Sequence, residues 1–307
     1  MPRARLAALS VDLDEIPNYF AIHGLEPPRG LAAHAVYDLA LDRLEAFACD
    51  HRLPLTLFAI GADLARDESA RRLRRMAEAG HEIANHSLDH LYDLTRQSAV
   101  EMRRQVESGV VVIEGATGQR PTGFRAPGYT FTDALARVLE EVGVSYDSSV
   151  FPCPPYYLAK AAAMTAIRAR GRRSRSVLDT PAVLAAPTRP YRLGQPYTRR
   201  GSGLVELPIQ VTRGLRLPFI GTTLTLAGAT RARWLTRTVV GEPFVNLELH
   251  GIDVLDAADD LEALRPHQPD VRVAVADKLA ALAAVVQTLK AAGYAFVRLD
   301  EAARQVV

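Results

Sequence analysis

The feature that most constrains this chain is the repeated pairing of a short apolar run with a stretch of helical period. Leu6-Ala7-Ala8-Leu9-Ser10-Val11 is such a run, and it stops at acids, as a buried parallel strand does at its carboxyl end. Pro54-Leu55-Thr56-Leu57-Phe58-Ala59-Ile60 is the next, stopped at Gly61. Between them, residues 34–50 carry apolar side chains at Val36, Leu39, Ala40, Leu44 and Phe47, a helical spacing. The alternation continues with a helix over 66–79 closed by Gly80, a strand over 81–84, a helix over 98–115 and a strand over 122–125. A helix over 132–141, with Thr132 as N-cap and Gly143 beyond it, leads to a strand over 144–147. Such regularity predicts a parallel sheet with helical crossovers, whose carboxyl strand ends gather the chemistry.

Pro17, Gly24, Pro27, Pro28 and Gly30 predict a long loop over the end of the first strand. Regularity lapses over 152–203, a proline-rich stretch. There Lys160, Arg168, Arg170, Arg172, Arg173, Arg175, Arg189, Arg192, Arg199 and Arg200 face the single acid Asp179. Strands resume over 204–209, 244–249 and 294–299, with helices over 230–240 and 270–292. No internal repeat or linker is visible, so residues 1–307 are expected to form one domain with a basic, Pro-rich insertion at about 152–203.

A chain of 307 residues can bury a sizeable core, and its net charge of +2 gives no argument for nucleic acid. Cys49 and Cys153 are the only cysteines, which argues against a disulfide framework and excludes a thiolate zinc site. No apolar run approaches the ~20 residues of a membrane span. The first run is too short and too soon charged for a secretory signal, so the expectation is a soluble cytoplasmic protein. Peripheral contact with the inner membrane face and oligomerisation are both compatible with this.

The chemistry concentrates in His81-Glu82-Ile83-Ala84-Asn85-His86-Ser87-Leu88-Asp89-His90. Four residues apart, His86 and His90 would share one face of a helical turn and could converge on one metal ion. Asp14 is the best third ligand, and Asp12, two residues before it, would point the same way in an extended chain. Two imidazoles and a carboxylate, with positions left for water, suit catalytic Zn2+ and equally Fe2+, Co2+ or Mn2+. Such an ion would polarise an acyl carbonyl and acidify water. Asp12 could then act as base, steadied by a bidentate contact from Arg125, and His250 as the acid that protonates the departing amine. Backbone N–H groups at Gly128 or Tyr129 could receive the oxyanion. Each motif alone has a plainer reading: a surface histidine pair, a loop cap or magnesium site, an ordinary salt bridge, a histidine at a strand end. Their joint occurrence at predicted strand ends is the argument for a site.

With these residues together, the chain resembles the NodB-homology polysaccharide deacetylases, carbohydrate esterase family four. The resemblance is carried by Ser10-Val11-Asp12-Leu13-Asp14, His86-Ser87-Leu88-Asp89-His90, Arg125-Ala126-Pro127-Gly128-Tyr129, Tyr146-Asp147-Ser148-Ser149 and Leu247-Glu248-Leu249-His250, in that order. It implies a distorted (β/α) barrel with about seven parallel strands, and hydrolysis of an N-acyl group, chiefly N-acetyl, on an amino sugar or glycoconjugate. It puts Asp12 on the base, Asp14, His86 and His90 on the metal ligands, Arg125 on the residue steadying the base and His250 on the acid. The spaced Asp-x-Asp form resembles intracellular-type peptidoglycan deacetylases, lipid-linked sugar deformylases and ureide-hydrolysing relatives. Family members often carry an aspartate and a tryptophan after the fourth motif; Val150 and Phe151 stand there, leaving the partner of His250 open. Glu248, two residues away on the same strand, is not expected to be that partner. The basic stretch over 168–175 points to a phosphate-bearing substrate, nucleotide- or lipid-linked, its plainer reading being a solvated, mobile loop. The competing readings are a deformylase, a cyclic amide or ureide hydrolase on the same site, or a non-catalytic carbohydrate-binding relative.

Overall fold

In the computed structural model, which describes residues 5–28 and 30–307, the alternating apolar runs become one curled sheet. Its strands are β1 (Arg5–Asp12), β2 (Leu55–Ala59), β3 (Glu82–Asn85), β4 (Gly123–Phe124), β5 (Tyr146–Asp147), β6 (Tyr191–Leu193), β7 (Arg200–Glu206), β8 (Phe244–His250) and β9 (Tyr294–Phe296). The helices are α1 (Ile16–Ile22), α2 (Leu41–His51), α3 (Asp67–Glu78), α4 (Ala99–Thr117), α5 (Asp133–Val142), α6 (Pro154–Ala169), α7 (Gly221–Val239), α8 (Val275–Ala291) and α9 (Leu299–Val306). The order across the sheet is β6-β7-β5-β4-β3-β2-β1-β8, and the path from β7 to β8 is seven strands, all parallel. β6 runs antiparallel on β7. β8 pairs along β1 from Leu6 to Asp12. On the other edge of β1, β9 pairs with Arg5–Ala7 and β2 takes over from Leu9.

Among the described residues no ladder joins β7 to β8; the chain after β7 crosses that gap instead. Leu207 N–H donates to the Asp147 carbonyl, Ile209 N–H to that of Val150 and Gln210 N–H to that of Asn246. The Asn246 side chain returns bonds to the carbonyls of Leu207 and Pro208 at 3.0 and 3.3 Å. This is the distorted (β/α) barrel that the motifs imply.

Period-two alternation sorts each strand into two cores. On β1, Ala7, Leu9 and Val11 face outward, into the apolar layer shared with α2, α3, α7 and α8. Leu6 and Ala8 face inward, beside Phe58, Ala84, Tyr146 and Phe244. β8 does the same: Val245, Leu247 and Leu249 pack outward. A second outer core under α4, α5 and β6 holds Phe124, Phe131, Leu135, Leu139 and Tyr191.

Several boundaries differ from the expectation. The loop after β1 contains α1, because Pro17 at its first turn lacks only an N–H that would be unpaired there anyway. The strand expected over 204–209 lies at Arg200–Glu206, since Pro208 cannot donate to a ladder and the chain leaves to cross the gap. α7 starts at Gly221, nine residues earlier than read, with its helical course broken at Gly228 (φ 72°). The last strand stops at Phe296, and α9 follows, burying Leu299 and Ala302. Residues 152–203 contain α6, which lies across the carboxyl ends of the strands, and β6. Among the described residues no helix is long and apolar enough to cross a membrane. Cys49 and Cys153 are free thiols.

Candidate active site

The inward column of β1 turns polar as it rises: Leu6, Ala8, Ser10, Asp12. That of β8 does the same: Phe244, Asn246, Glu248, His250. Apolar pairs fill the base of the barrel, Ser10 and Asn246 meet at 3.2 Å midway, and ionisable groups emerge at the carboxyl end. The strand period therefore builds the site from two parallel neighbours.

Asp14, His86 and His90 offer one ligand atom each, all within 4.8 Å of one another. Asp14 Oδ1 lies 3.3 Å from His86 Nε2 and Asp14 Oδ2 lies 3.2 Å from His90 Nε2. Burial would raise the Asp14 carboxyl, but the imidazoles of His90 and His86 hold it well below its ordinary value. Asp14 Oδ1 and His90 Nε2 are buried without a hydrogen-bond partner, an arrangement costly for the protein alone and suited to a cation. His86 Nδ1 is 2.7 Å from the Arg125 carbonyl, a contact that turns Nε2 toward the cluster and fixes the ring. The donor set fits a divalent metal of the Zn2+ type.

The two histidines do not share a helical turn. Residues 86–90 are an irregular loop in which Ser87 (φ 68°) and His90 (φ 51°) take left-handed conformations. His86 N–H donates to the Ala59 carbonyl, Leu88 N–H to that of Gln105, and His90 N–H to Ser87 Oγ at 3.1 Å. These bonds bring the rings within 4.9 Å by a route that the i,i+4 spacing did not predict.

Asp12 lies beside the cluster, its Oδ2 3.9 Å from His86 Nε2 and without a hydrogen-bond partner. Arg125 grips its other oxygen, Nη1 to Oδ1 at 2.6 Å. The expected bidentate fork is absent. Nη2 donates instead to Ser10 Oγ and Ser148 Oγ, both at 2.9 Å, and Nε to the Ser148 carbonyl at 2.8 Å. The guanidinium is fully buried and lies 4.1 Å above the Phe58 ring. Four of the five N–H donors are thus engaged, and one Asp12 oxygen is left without a protein partner.

His250 stands beside Asp12 at the end of the neighbouring strand, and one atom each of Asp12, Glu248 and His250 lie within 4.8 Å of one another. The partner of His250 is Glu248: Nδ1 lies 3.0 Å from Glu248 Oε1. The expectation that two residues along one strand could not pair is wrong, because residues i and i+2 point to the same side. Burial would lower the His250 imidazole; the carboxylate of Glu248, helped by Asp14 and Asp12, raises it well above its ordinary value. His250 Nε2 meets the Tyr129 hydroxyl at 3.3 Å. Phe151, where a tryptophan often stands, packs edge-on against Tyr129. Gly128 (φ 64°) and Tyr129 (φ 59°) line the cavity, and the Tyr129 N–H is already given to the Ala126 carbonyl at 3.1 Å.

The cavity measures about 310 Å3 and brings together Asp12, Asp14, His86, Gly128, Tyr129 and His250. His90 lines an adjoining cavity of about 790 Å3. Tyr19, Tyr92, Tyr156 and Lys160 also line the first, and the sequence reading assigned none of them to the site. Tyr156 and Lys160 come from α6, so the stretch read as an insertion roofs the chemistry. A helical spacing of Tyr156, Ala159, Lys160 and Ala163 was there to be read, but the surrounding prolines and arginines masked it.

Residues 35–146 match the polysaccharide deacetylase family. The chain is 28% identical over 165 residues to a peptidoglycan deacetylase of Helicobacter pylori, covering 52% of this chain and 54% of that protein. It is 39% identical over 88 residues to a chitooligosaccharide deacetylase of a Bradyrhizobium species, covering 28% and 39%. It thus spans about half or less of the length of these relatives. A crystal structure from Mycobacterium smegmatis, described as that of a polysaccharide deacetylase, shares the fold at a TM-score of 0.59 and 19% identity, over 100% of this chain and 92% of that one. The matched segment and the deacetylase relatives agree in likening this chain to the polysaccharide deacetylases, and the crystal structure shares its fold.

Proposed function

We propose that this protein is a metal-dependent hydrolase that removes an N-acyl group, acetyl in the first instance, from an amino sugar or glycoconjugate. The observation that carries the reading is the meeting of Asp14, His86 and His90 beside Asp12, with His250 next to Asp12 on the neighbouring strand. Asp14, His86 and His90 would hold the metal, most simply Zn2+, which when bound polarises the acyl carbonyl and acidifies water. Asp12 takes the proton of the attacking water on the oxygen that Arg125 leaves free. Arg125 holds and aims that carboxylate from a fully buried position. His250, kept protonated by Glu248, delivers a proton to the departing nitrogen. Gly128 and Tyr129 border the place where the oxyanion forms. Because the Tyr129 N–H has an internal partner, that group must exchange it to serve there.

The test is acetate and formate release from a panel of N-acyl amino sugars, with and without chelator, alongside metal content. Asp12→Asn should keep the metal and lose turnover by about 10²–10⁴-fold, the range for removing a general base. Full turnover in the variant, or activity indifferent to chelator, overturns the reading; formate release alone would reassign the acyl group.

The arginine-rich stretch, taken from sequence as a phosphate clamp, divides between two cavities. Arg168 and Arg175 line the one beside His90, while Arg170 and Arg172 line another of about 510 Å3.

A further inference from the structure

Lys160 stands where a cation has no obvious internal purpose. It projects from the roof helix α6 into the cavity that holds Asp12, Asp14, His86 and His250, and it also lines the 510 Å3 cavity behind. Its Nζ donates to the Gly128 carbonyl at 2.9 Å and lies 6.0 Å from the Tyr156 ring centroid. Asp179 attracts it electrostatically, but among the described residues no carboxylate forms an ion pair with it. Burial pushes the ammonium down to about 8. A neutral carbonyl alone is poor compensation for removing an ammonium from water.

The second cavity repeats the imbalance. His23, Arg170, Arg172 and His267 line it with Lys160, and its lining contains no acid. The rings of His23 and His267 lie 5.7 Å apart. Burial lowers the His267 imidazole, and His23, Arg172 and Arg170 lower it further, which is the mark of like charges crowded without a counter-ion. Lys160, Arg170 and Arg172 around one opening, with two imidazoles beside them and Lys160 shared with the reaction chamber, form a field that focuses anions.

We propose that Lys160 and this basic cavity form an anion subsite, so that the substrate is an N-acylated sugar bearing a carboxylate or phosphate close to its acylamino group. The proposal rests on the deacetylase reading and adds the charge of the substrate to it. Lys160 meets the anion at the border of the two cavities; the arginines and histidines hold what extends beyond. Lys160 is then a binding and specificity residue whose ammonium exchanges one hydrogen from the Gly128 carbonyl to the ligand. If Lys160 only braces Gly128, substrate charge is irrelevant to its loss.

Calorimetric titration of the zinc-loaded, full-length Asp12→Asn protein separates the two roles without requiring turnover. The probes are N-acetylglucosamine, its 1-phosphate and N-acetylmuramic acid. A charge-assisted bond should make at least one anionic probe bind about 10-fold or more tighter than the neutral sugar at low salt. Lys160→Met in the same background should abolish the difference, Lys160→Arg should restore part of it, and Arg170→Ala with Arg172→Ala should reduce it. The better of the two anionic probes identifies carboxylate or phosphate as the group received. Equal affinity for all three probes, binding of none, or a Lys160→Met loss equal for neutral and anionic sugars overturns the subsite. Absent acetate release from wild-type protein with the anion preference intact would instead fail the deacetylase reading and leave the subsite standing.

Discussion

Replacing Glu248 by Gln tests how the site keeps an acid protonated. Gln preserves the shape and an acceptor for His250 Nδ1, and removes only the charge. The pair is 3.0 Å apart, with Glu248 fully buried and His250 22% exposed. At that separation the attraction is about 1.4 kcal/mol in bulk water and about 5.5 kcal/mol at an effective dielectric near 20, and a pair at a cavity wall lies between these. Glu248 raises the imidazole, so protonated His250 persists to higher pH in the wild type. Without the carboxylate, the alkaline limb of the kcat/KM profile for acetate release moves to lower pH. Even the smaller energy moves that limb by about one pH unit, so the loss of kcat/KM reaches about tenfold at pH values above both limbs and shrinks toward acid pH. Metal content must be measured beside the rates. A uniform fall at every pH with the limb unmoved, or an unchanged profile, would refute the assignment of Glu248 to the acid.

Other perturbations probe the metal, the packing and the buried acids. His90→Ala should leave zinc substoichiometric and forfeit most of the stabilisation that zinc gives the wild type, about 2.7 kcal/mol at a hundredfold excess over Kd; equal zinc-induced Tm shifts in both proteins would remove His90 from the ligand set. Gly123→Ala would put a methyl 2.1 Å from Tyr146 Cζ and 2.2 Å from its hydroxyl, an overlap that should cost about 3 kcal/mol, measurable by urea unfolding. A change below about 0.5 kcal/mol there would show that β4 and β5 can part without penalty. Glu82, beneath Tyr146, is raised to about 7 by burial and by Asp300. An acid raised on folding contributes stability that is complete below the unfolded value of 4.5 and is lost as pH rises through 7. Glu82→Gln should therefore flatten the decline in unfolding free energy between pH 5 and 8 by at most about 3 kcal/mol. An identical decline in both proteins would assign it to other groups.

How far the sequence could be read depended on the kind of contact. β1, β2 and β8 were visible because apolar runs buried on both faces leave little else for those residues to do, and each ends where a polar group must reach solvent or a ligand. Asp12, Asp14 and His250 came with them. His86 and His90 were found by type and spacing, but their route to one another was not, because left-handed Ser87 and His90 leave no trace in periodicity. Glu248 was discounted by treating nearness along a strand as an obstacle, when the pleat makes it the direct way for two side chains to meet. Tyr156 and Lys160 were hidden in a stretch defined by its charge. Which of those charges turn inward depends on how α6 lies over the barrel, a tertiary fact with no local signature.

β1 has consequences for the order in which the molecule can be made. It carries Asp12 at its end and Asp14 just beyond, yet one of its edges pairs with β8 and the lower half of the other with β9. On an emerging chain β2 can take the upper half of one edge early, but the other edge must wait, open, through more than two hundred residues of synthesis before residues 244–250 arrive to hold it. Until then the proposed base and one proposed metal ligand sit on a strand held along one edge only, its other edge exposed to mispairing. Competence to bind the ion is accordingly a late property of the nascent polypeptide, and a ribosome-stalled product ending before β8 should capture none at this centre.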